Sequence, residues 1–156
     1  MSITRLLLPV FHKRYEKLRR SEFRAEEEQR QLLARMLHRA SDTEYGRQHG
    51  FAEISNYDDF ARRVPVNTYE ELKRSIDRMR HGEADVLWPG RVKWYAKSSG
   101  TTNDKSKFIP VSRQGLHDTH YAGGACAVTY YLHNNPKSRI FDGRALILGG
   151  SHEQNY

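Results

Sequence analysis

One stretch of the chain, residues 98–107, combines the residue types that an oxyanion-binding loop uses. It reads Ser98-Ser99-Gly100-Thr101-Thr102-Asn103-Asp104-Lys105-Ser106-Lys107. Hydroxyl and backbone N–H groups donate hydrogen bonds to anionic oxygens, a glycine lets the backbone approach a ligand, and lysine adds positive charge. The stretch therefore predicts a phosphate-binding loop, although clusters of this composition are also typical of plain solvated turns.

The spacing in this stretch differs from that of the phosphate loop in the common nucleotide hydrolases. That motif requires a second glycine followed by lysine and then by serine or threonine. Here Lys105, Ser106 and Lys107 occupy those places. The sequence therefore disfavours a nucleotide hydrolase of that type.

The segments on either side of the candidate loop have the patterns of strands and helices. Residues 92–97 alternate as a β-strand does, and residues 107–109 form a second short strand. Ser112 can cap a long helix that ends near Leu132, and the apolar run 145–148 follows it. A strand, a helix and a buried strand make a βαβ unit, so the predicted fold class is α/β with the start of a parallel sheet.

Four helices are predicted before the first strand. Helical patterns cover residues 3–20 and 25–40, Ser55-Asn56 can cap a short helix ending at Arg62, and Asn67-Thr68 can cap another ending at Arg80. The chain therefore divides into a helical part, residues 1–85, and a part with the loop and the βαβ unit, residues 86–156.

Length and composition set the broad class. With 156 residues, 37% of them hydrophobic, the chain is long enough for one soluble domain or part of one. Its apolar run at residues 6–11 is too short for a signal sequence, and no stretch is predicted to span a membrane. The single cysteine, Cys126, excludes an internal disulfide and a cysteine zinc cluster, so we expect a reducing compartment, by default the cytoplasm.

The net charge of +7 requires that a polyanionic partner be considered. Basic residues are frequent in the first two helical segments, but glutamates interrupt them and no aromatic residues are interleaved at stacking spacing. A solvated helix face is therefore favoured. Two alternatives stay open, namely a basic module that binds nucleic acid or an acidic protein surface, and a scaffold fragment without a ligand.

Other candidate sites carry weaker signals. His117 and His120, with Asp118 beside them, have the spacing of metal ligands on a helix, but no third ligand is evident and no metal site is predicted. Cys126 is either a reactive thiol or, more commonly for a free cysteine, a small buried apolar residue. No catalytic residue can be assigned from spacing.

The loop resembles a known motif. Residues 98–107 are similar to the S/T-S-G-T-S/T-x-x-x-x-K phosphate loop of the adenylate-forming superfamily, with Asp104 where a glycine is common. With the Lys107-Phe108-Ile109-Pro110 continuation, the chain is most similar to the acyl acid amido synthetases, the auxin-responsive Gretchen Hagen family, in its bacterial branch. The similarity extends to Arg63-Val64-Pro65-Val66-Asn67-Thr68-Tyr69-Glu70-Glu71-Leu72, His81-Gly82-Glu83, Leu87-Trp88-Pro89-Gly90 and Phe141-Asp142-Gly143.

The resemblance implies an ATP-dependent ligase that uses Mg²⁺, adenylates a small carboxylic acid and transfers the acyl group to an amine, typically an amino acid. No nucleic-acid or membrane partner is implied. By the same resemblance Ser98, Ser99, Thr101 and Thr102 bind phosphate oxygens beside Gly100, and Lys107 neutralises the charge that builds on pyrophosphate. The helix over residues 115–132 helps line the acyl pocket.

Several parts of such an enzyme are expected beyond Tyr156. The resemblance places there a glutamate for Mg²⁺, an aspartate for the ribose hydroxyls and a mobile C-terminal domain. Residues 1–156 are therefore expected to be an N-terminal fragment of the large adenylation domain, and to be inactive alone.

Overall fold

A computed structural model describes residues 2–98, 106–144 and 146 of the chain. Helices precede the first strand, namely α1 (Ile3–Glu22), α2 (Ala25–Ala40), α3 (Glu44–Gln48), a short 3₁₀ turn (Phe51–Glu53), α4 (Tyr57–Arg63) and α5 (Tyr69–Arg80). The four predicted helices are confirmed, whereas α3 and the 3₁₀ turn were not predicted. Over the described residues, none of the helices combines the length and the apolar character needed to cross a membrane.

The predicted helix caps are confirmed by hydrogen bonds. The side chains of Asn56, Thr68 and Ser112 each accept a hydrogen bond from the backbone N–H three residues later, at 2.9, 3.4 and 2.9 Å. At α5 the bond is reciprocal, because the Glu71 carboxylate accepts from the Thr68 N–H at 2.6 Å and so completes a capping box. These bonds satisfy N–H groups that have no partner inside the helix.

The described sheet has two strands, β1 (Trp94–Lys97) and β2 (Phe108–Val111), which pair antiparallel with Trp94 opposite Val111 and Lys97 opposite Phe108. The connection of about ten residues between the two strands is shorter than the crossover of a dozen or more residues that a parallel pair needs, and this favours the antiparallel pairing. The strand predicted at residues 145–148 lies outside the described residues except for Leu146. The parallel βαβ pairing therefore stays a prediction.

The predicted long helix runs from Arg113 to Asn134 in three consecutive parts. They are α6 (Arg113–Gly115), a π-helical segment (Leu116–Tyr121) and α7 (Ala122–Asn134). The helical periodicity predicted the whole length but not the π-helical segment, whose wider turns are an irregularity that hydrophobic spacing does not reveal.

The chain forms two compact units, one of residues Ser21–Gly124 and one that joins Met1–Arg20 to Ala125–Tyr156. In the first, Met79, Val86 and Val92 form a buried cluster against which the partly buried Trp88 and Tyr95 pack. This cluster holds the end of α5 against the segment that leads into β1, so the hairpin packs against α5.

The second unit is held by aromatic contacts and a buried hydroxyl. Phe11 of α1 stacks on Phe141 with ring centroids 5.7 Å apart, and Tyr15 stacks on His133 at 3.6 Å. Thr4 is fully buried and its hydroxyl accepts the Phe141 N–H at 3.0 Å. These units do not test the predicted division of the chain at residue 85 into a helical part and a βαβ part, which therefore stays a prediction.

Candidate functional site

The two ends of the candidate phosphate loop lie side by side at the end of the hairpin. The Ser98 N–H donates to the Lys107 carbonyl at 2.9 Å, and the Lys107 N–H donates to the Ser98 hydroxyl oxygen at 3.2 Å. These bonds continue the pairing of β1 with β2 by one residue on each strand. The segment between the two residues is thereby closed at its base.

The structure therefore brings together two of the six predicted site residues, Ser98 and Lys107. Both are partly buried. The other four, Ser99, Gly100, Thr101 and Thr102, lie outside the described residues, so their phosphate contacts stay predictions. What the described residues provide is a hydroxyl oxygen, on Ser98, and a lysine, Lys107, which are paired at the two ends of the candidate loop and are called the hairpin mouth below.

Tyr69, the first residue of α5, contacts the exit side of this mouth. Its hydroxyl oxygen accepts the Phe108 N–H at 3.0 Å, and its ring lies under the Lys107 ammonium, with Nζ 5.6 Å from the ring centroid. A cation at this distance is attracted by the negative face of the ring. Sequence reasoning missed Tyr69 because it is separated from Phe108 by 39 positions, and no local pattern reports a contact of that range.

Arg80, at the other end of α5, contacts the same strand. Its guanidinium carbon lies 3.7 Å from the centroid of the Phe108 ring. Nearby, burial raises the pKa of the Tyr95 phenol, and the positive charge of Arg80 opposes that rise. The two ends of α5 therefore hold Phe108 between them, directly after Lys107.

An ion-pair network fixes α5 itself. Arg78 binds both carboxylate oxygens of Glu44 at 2.8 and 2.6 Å, and its Nε donates to Glu83 at 2.8 Å. The hydrogen bonds from Arg78 lower the pKa of Glu44 and of Glu83, and those to the two carboxylates raise the pKa of Arg78. Paired forks of this kind specify geometry more than isolated surface ion pairs do.

A tight turn carries the chain from α5 to β1. Gly82 has φ of 94°, and a Cβ there would lie 2.5 Å from a terminal nitrogen of Arg91. The Arg91 Nε donates to the Gly82 carbonyl at 2.5 Å, and the Asp85 carboxylate accepts the Gly90 N–H at 2.6 Å. The motifs at residues 81–83 and 87–90 therefore set the path into the hairpin.

The weaker candidates lie on the long helix that follows β2. His117 Nδ1 is 3.0 Å from the Asp118 carboxylate, and this hydrogen bond lowers the pKa of Asp118. Across residues 2–98, 106–144 and 146, no group of three or more histidine, cysteine, aspartate or glutamate side chains is placed to hold a metal ion. Cys126 is partly buried, with an Arg14 terminal nitrogen 3.7 Å from its sulfur.

Comparison with known proteins agrees with the motifs. Residues 14–156 match the GH3 family N-terminal domain. The chain is 31% identical over 93 residues to indole-3-acetic acid-amido synthetase GH3.6 of Arabidopsis thaliana. This alignment covers 59% of this chain and 15% of that protein. The chain is 30% identical over 118 residues to indole-3-acetic acid-amido synthetase GH3.15 of Arabidopsis thaliana, with 75% and 19% covered.

A rice protein gives a longer alignment. The chain is 32% identical over 132 residues to the probable indole-3-acetic acid-amido synthetase GH3.12 of Oryza sativa subsp. japonica, covering 80% of this chain and 20% of that protein. The chain therefore spans at most about a fifth of the length of these relatives. Since the family domain matches nearly the whole sequence, the chain belongs to the GH3 family.

Proposed function

We propose that this chain is the phosphate-binding part of an ATP-dependent acid-amido synthetase. Membership of the GH3 family supports an amide-forming ligase, and the relatives are named for amide synthesis with indole-3-acetic acid. Because the chain spans only a small part of those relatives, the activity proposed is that of the whole protein. Its substrates in this proposal are ATP, a small carboxylic acid and an amine such as an amino acid.

The observation that carries the proposal is the closed mouth formed by Ser98 and Lys107. The bonds between them hold together the two ends of a segment whose sequence is rich in hydroxyl groups, and Lys107 lies at its C-terminal end. In this proposal an anionic ligand bound there meets the Ser98 hydroxyl and the positive charge of Lys107, and the hydroxyl groups of Ser99, Thr101 and Thr102 are expected to donate to it. Preorganised donors of this kind stabilise developing negative charge without the cost of reorganising solvent.

The proposed reaction has two steps. A carboxylate oxygen attacks the α-phosphorus of ATP, the bond from that phosphorus to its bridging oxygen breaks, and pyrophosphate leaves. The amine nitrogen then attacks the activated carbonyl carbon, loses a proton, and AMP leaves. Ser98, Ser99, Thr101, Thr102 and the backbone at Gly100 would bind the β- and γ-phosphates, and Lys107 would stabilise the departing pyrophosphate.

Three finer parts of the assignment belong to the same proposal. Mg²⁺ is expected to accompany ATP, but the described residues hold no group of acidic ligands for it, so no step is assigned to it. We also place the chain in the bacterial branch of the family and in the cytoplasm. The basic-module alternative has no structural observation in its favour among the described contacts.

The test is the substitution Lys107→Ala in the protein that carries this chain. Carboxylate-dependent exchange between ATP and pyrophosphate measures the first step, and single-turnover amide formation from a preformed acyl-adenylate measures the second. Because pyrophosphate takes part only in the first, the exchange is expected to lose about 2 to 4 kcal/mol of transition-state stabilisation. Amide formation is expected to keep its rate.

A matched control is Lys73→Ala on the solvent side of α5, where Lys73 pairs with Glu70 at 3.8 Å and is 46% exposed. This variant is expected to keep both activities. Thr101→Ala is expected to behave like Lys107→Ala but more mildly. Equal losses in both steps would overturn the phosphate-site assignment, and tight nucleic-acid binding that persists at about 200 mM salt would favour the basic module.

A further inference from the structure

Tyr69 reaches the hairpin mouth through two different groups on one side chain. The hydroxyl oxygen accepts the Phe108 N–H at 3.0 Å, and the ring face lies 5.6 Å from the Lys107 ammonium nitrogen. One contact therefore acts on the backbone of β2, and the other acts on the side chain that precedes it.

The backbone contact falls on the outer edge of β2. Since Lys107 pairs its backbone with Ser98, the alternation of an antiparallel ladder turns the Phe108 N–H away from β1. The next outward position is Pro110, which has no N–H. The Tyr69 hydroxyl therefore satisfies the outward donor of this edge and fixes the strand where it leaves the loop.

Tyr69 is itself held firmly at the start of α5. The Thr68–Glu71 capping box fixes the first turn, and the preceding Asn67 donates to the Tyr45 hydroxyl at 2.7 Å. Farther along the helix, Ile76 and Met79 are buried. A side chain on so constrained a helix start provides a stable reference point for the loop exit.

We propose that Tyr69 is a positioning residue for Lys107. This inference rests on the proposed function, since it gives the phosphate lysine a fixed location before a ligand arrives. The ring attracts the ammonium to one face, and the hydroxyl prevents the backbone behind it from shifting. In the proposed function, the ammonium held at this location is the positive charge that meets the phosphate.

The activity test uses three variants of the protein that carries this chain. Tyr69→Phe keeps the ring and is expected to lower ATP/pyrophosphate exchange about two- to threefold through the lost acceptor. Tyr69→Leu loses both contacts and is expected to lower exchange about tenfold. If Tyr69 acts through Lys107, combining Tyr69→Leu with Lys107→Ala costs no more than Lys107→Ala alone, within about twofold.

A second measurement reports directly on the surroundings of the Lys107 side chain. Reductive methylation with carbon-13 formaldehyde gives each lysine a dimethylamine signal, and the signal of Lys107 is assigned by its loss in Lys107→Arg. A ring current should shift this signal in the parent and in Tyr69→Phe, and the shift should disappear in Tyr69→Leu. The matched control is Tyr57→Leu, at the first position of α4, where the tyrosine is 70% exposed.

The outcomes separate the two proposals. An unchanged Lys107 signal in Tyr69→Leu, or exchange losses that multiply in the double variant, would overturn the positioning role even if Lys107 serves phosphate. If instead the signal moves while Lys107→Ala leaves exchange intact, Tyr69 holds Lys107 as proposed and the phosphate function fails. A loss in Tyr57→Leu as large as in Tyr69→Leu would also count against the positioning role.

Discussion

The first backbone N–H groups of α5 and of α1 both need hydrogen-bond acceptors, and the two helices obtain them from different partners. At α5, Thr68 and Glu71 lie three positions apart and satisfy each other's backbone N–H groups. At α1, the Asp142 carboxylate accepts the Thr4 N–H at 3.1 Å and the Ser2 hydroxyl at 2.7 Å, from 138 and 140 positions away. The first cap can be found in the sequence next to the helix, and the second cannot.

The difference shows how each helix is tied to the rest of its unit. A local capping box fixes only the first turn of its own helix, so α5 depends on other contacts for its position. The cap from Asp142 fixes a helix start and joins two distant segments at once, and Phe141 adds to it by donating to the Thr4 hydroxyl oxygen. We therefore expect the long-range cap to matter more for stability than the local one.

The largest effect is expected for Asp142→Ala. This change leaves the Thr4 N–H and the Ser2 hydroxyl without their acceptor, in a place where the Asp142 side chain is only 8% exposed. The midpoint of thermal unfolding should fall by roughly 5 °C, as measured by circular dichroism or calorimetry.

The control separates the cap from the ion pair. Arg139 also donates to Asp142, at 3.2 Å, but its side chain is 79% exposed. Arg139→Ala should therefore change the free energy of unfolding by less than about 0.5 kcal/mol. If Arg139→Ala is as harmful as Asp142→Ala, the ion pair rather than the cap stabilises this region.

A smaller effect should appear with pH. Hydrogen bonds from Ser2 and from the Thr4 N–H lower the pKa of Asp142 from 3.8 to about 2. A carboxylate whose pKa falls on folding stabilises the folded state above its unfolded pKa, and this contribution disappears as the pH drops through the folded value. The parent should therefore lose its advantage over Asp142→Asn between about pH 4 and pH 2.

The measurement is the difference in unfolding midpoint between parent and Asp142→Asn at a series of pH values. Comparing the two proteins cancels the titration of the other carboxylates. A difference that stays constant down to about pH 2 would show that the charge of Asp142 does not contribute to the cap.

Local signals made most of the helices predictable. The capping residues Asn56, Thr68 and Ser112 lie within a few positions of the helices they begin, and the helical pattern of residues 25–40 lies in α2 itself. The five-residue α3 was not predicted, because it is too short to show the hydrophobic periodicity of a helix. Its close packing is visible only in three dimensions, where a Cβ on Gly46 would lie 2.0 Å from the Ala40 carbonyl oxygen.

The candidate site also has features that the sequence predicts and features that it does not. The composition of residues 98–107 and the flanking alternation predicted a loop between two strands, and the pairing of Ser98 with Lys107 agrees with that prediction. Tyr69 and Arg80 could not be found, because both act on Phe108 from a helix that is distant in sequence. The sequence pattern therefore predicts the loop and its flanking strands, but not the side chains that contact this region from a helix distant in sequence.

The smallest effect is expected for the local cap. Thr68→Ala removes the acceptor for the Glu71 N–H and should lower the free energy of unfolding by about 1 kcal/mol, whereas Thr68→Ser keeps a hydroxyl oxygen and should be nearly neutral. Chemical denaturation of the two variants measures both. Because the cap acts only on the first turn of α5, a loss in Thr68→Ala larger than in Asp142→Ala would reverse the comparison between the two helix starts.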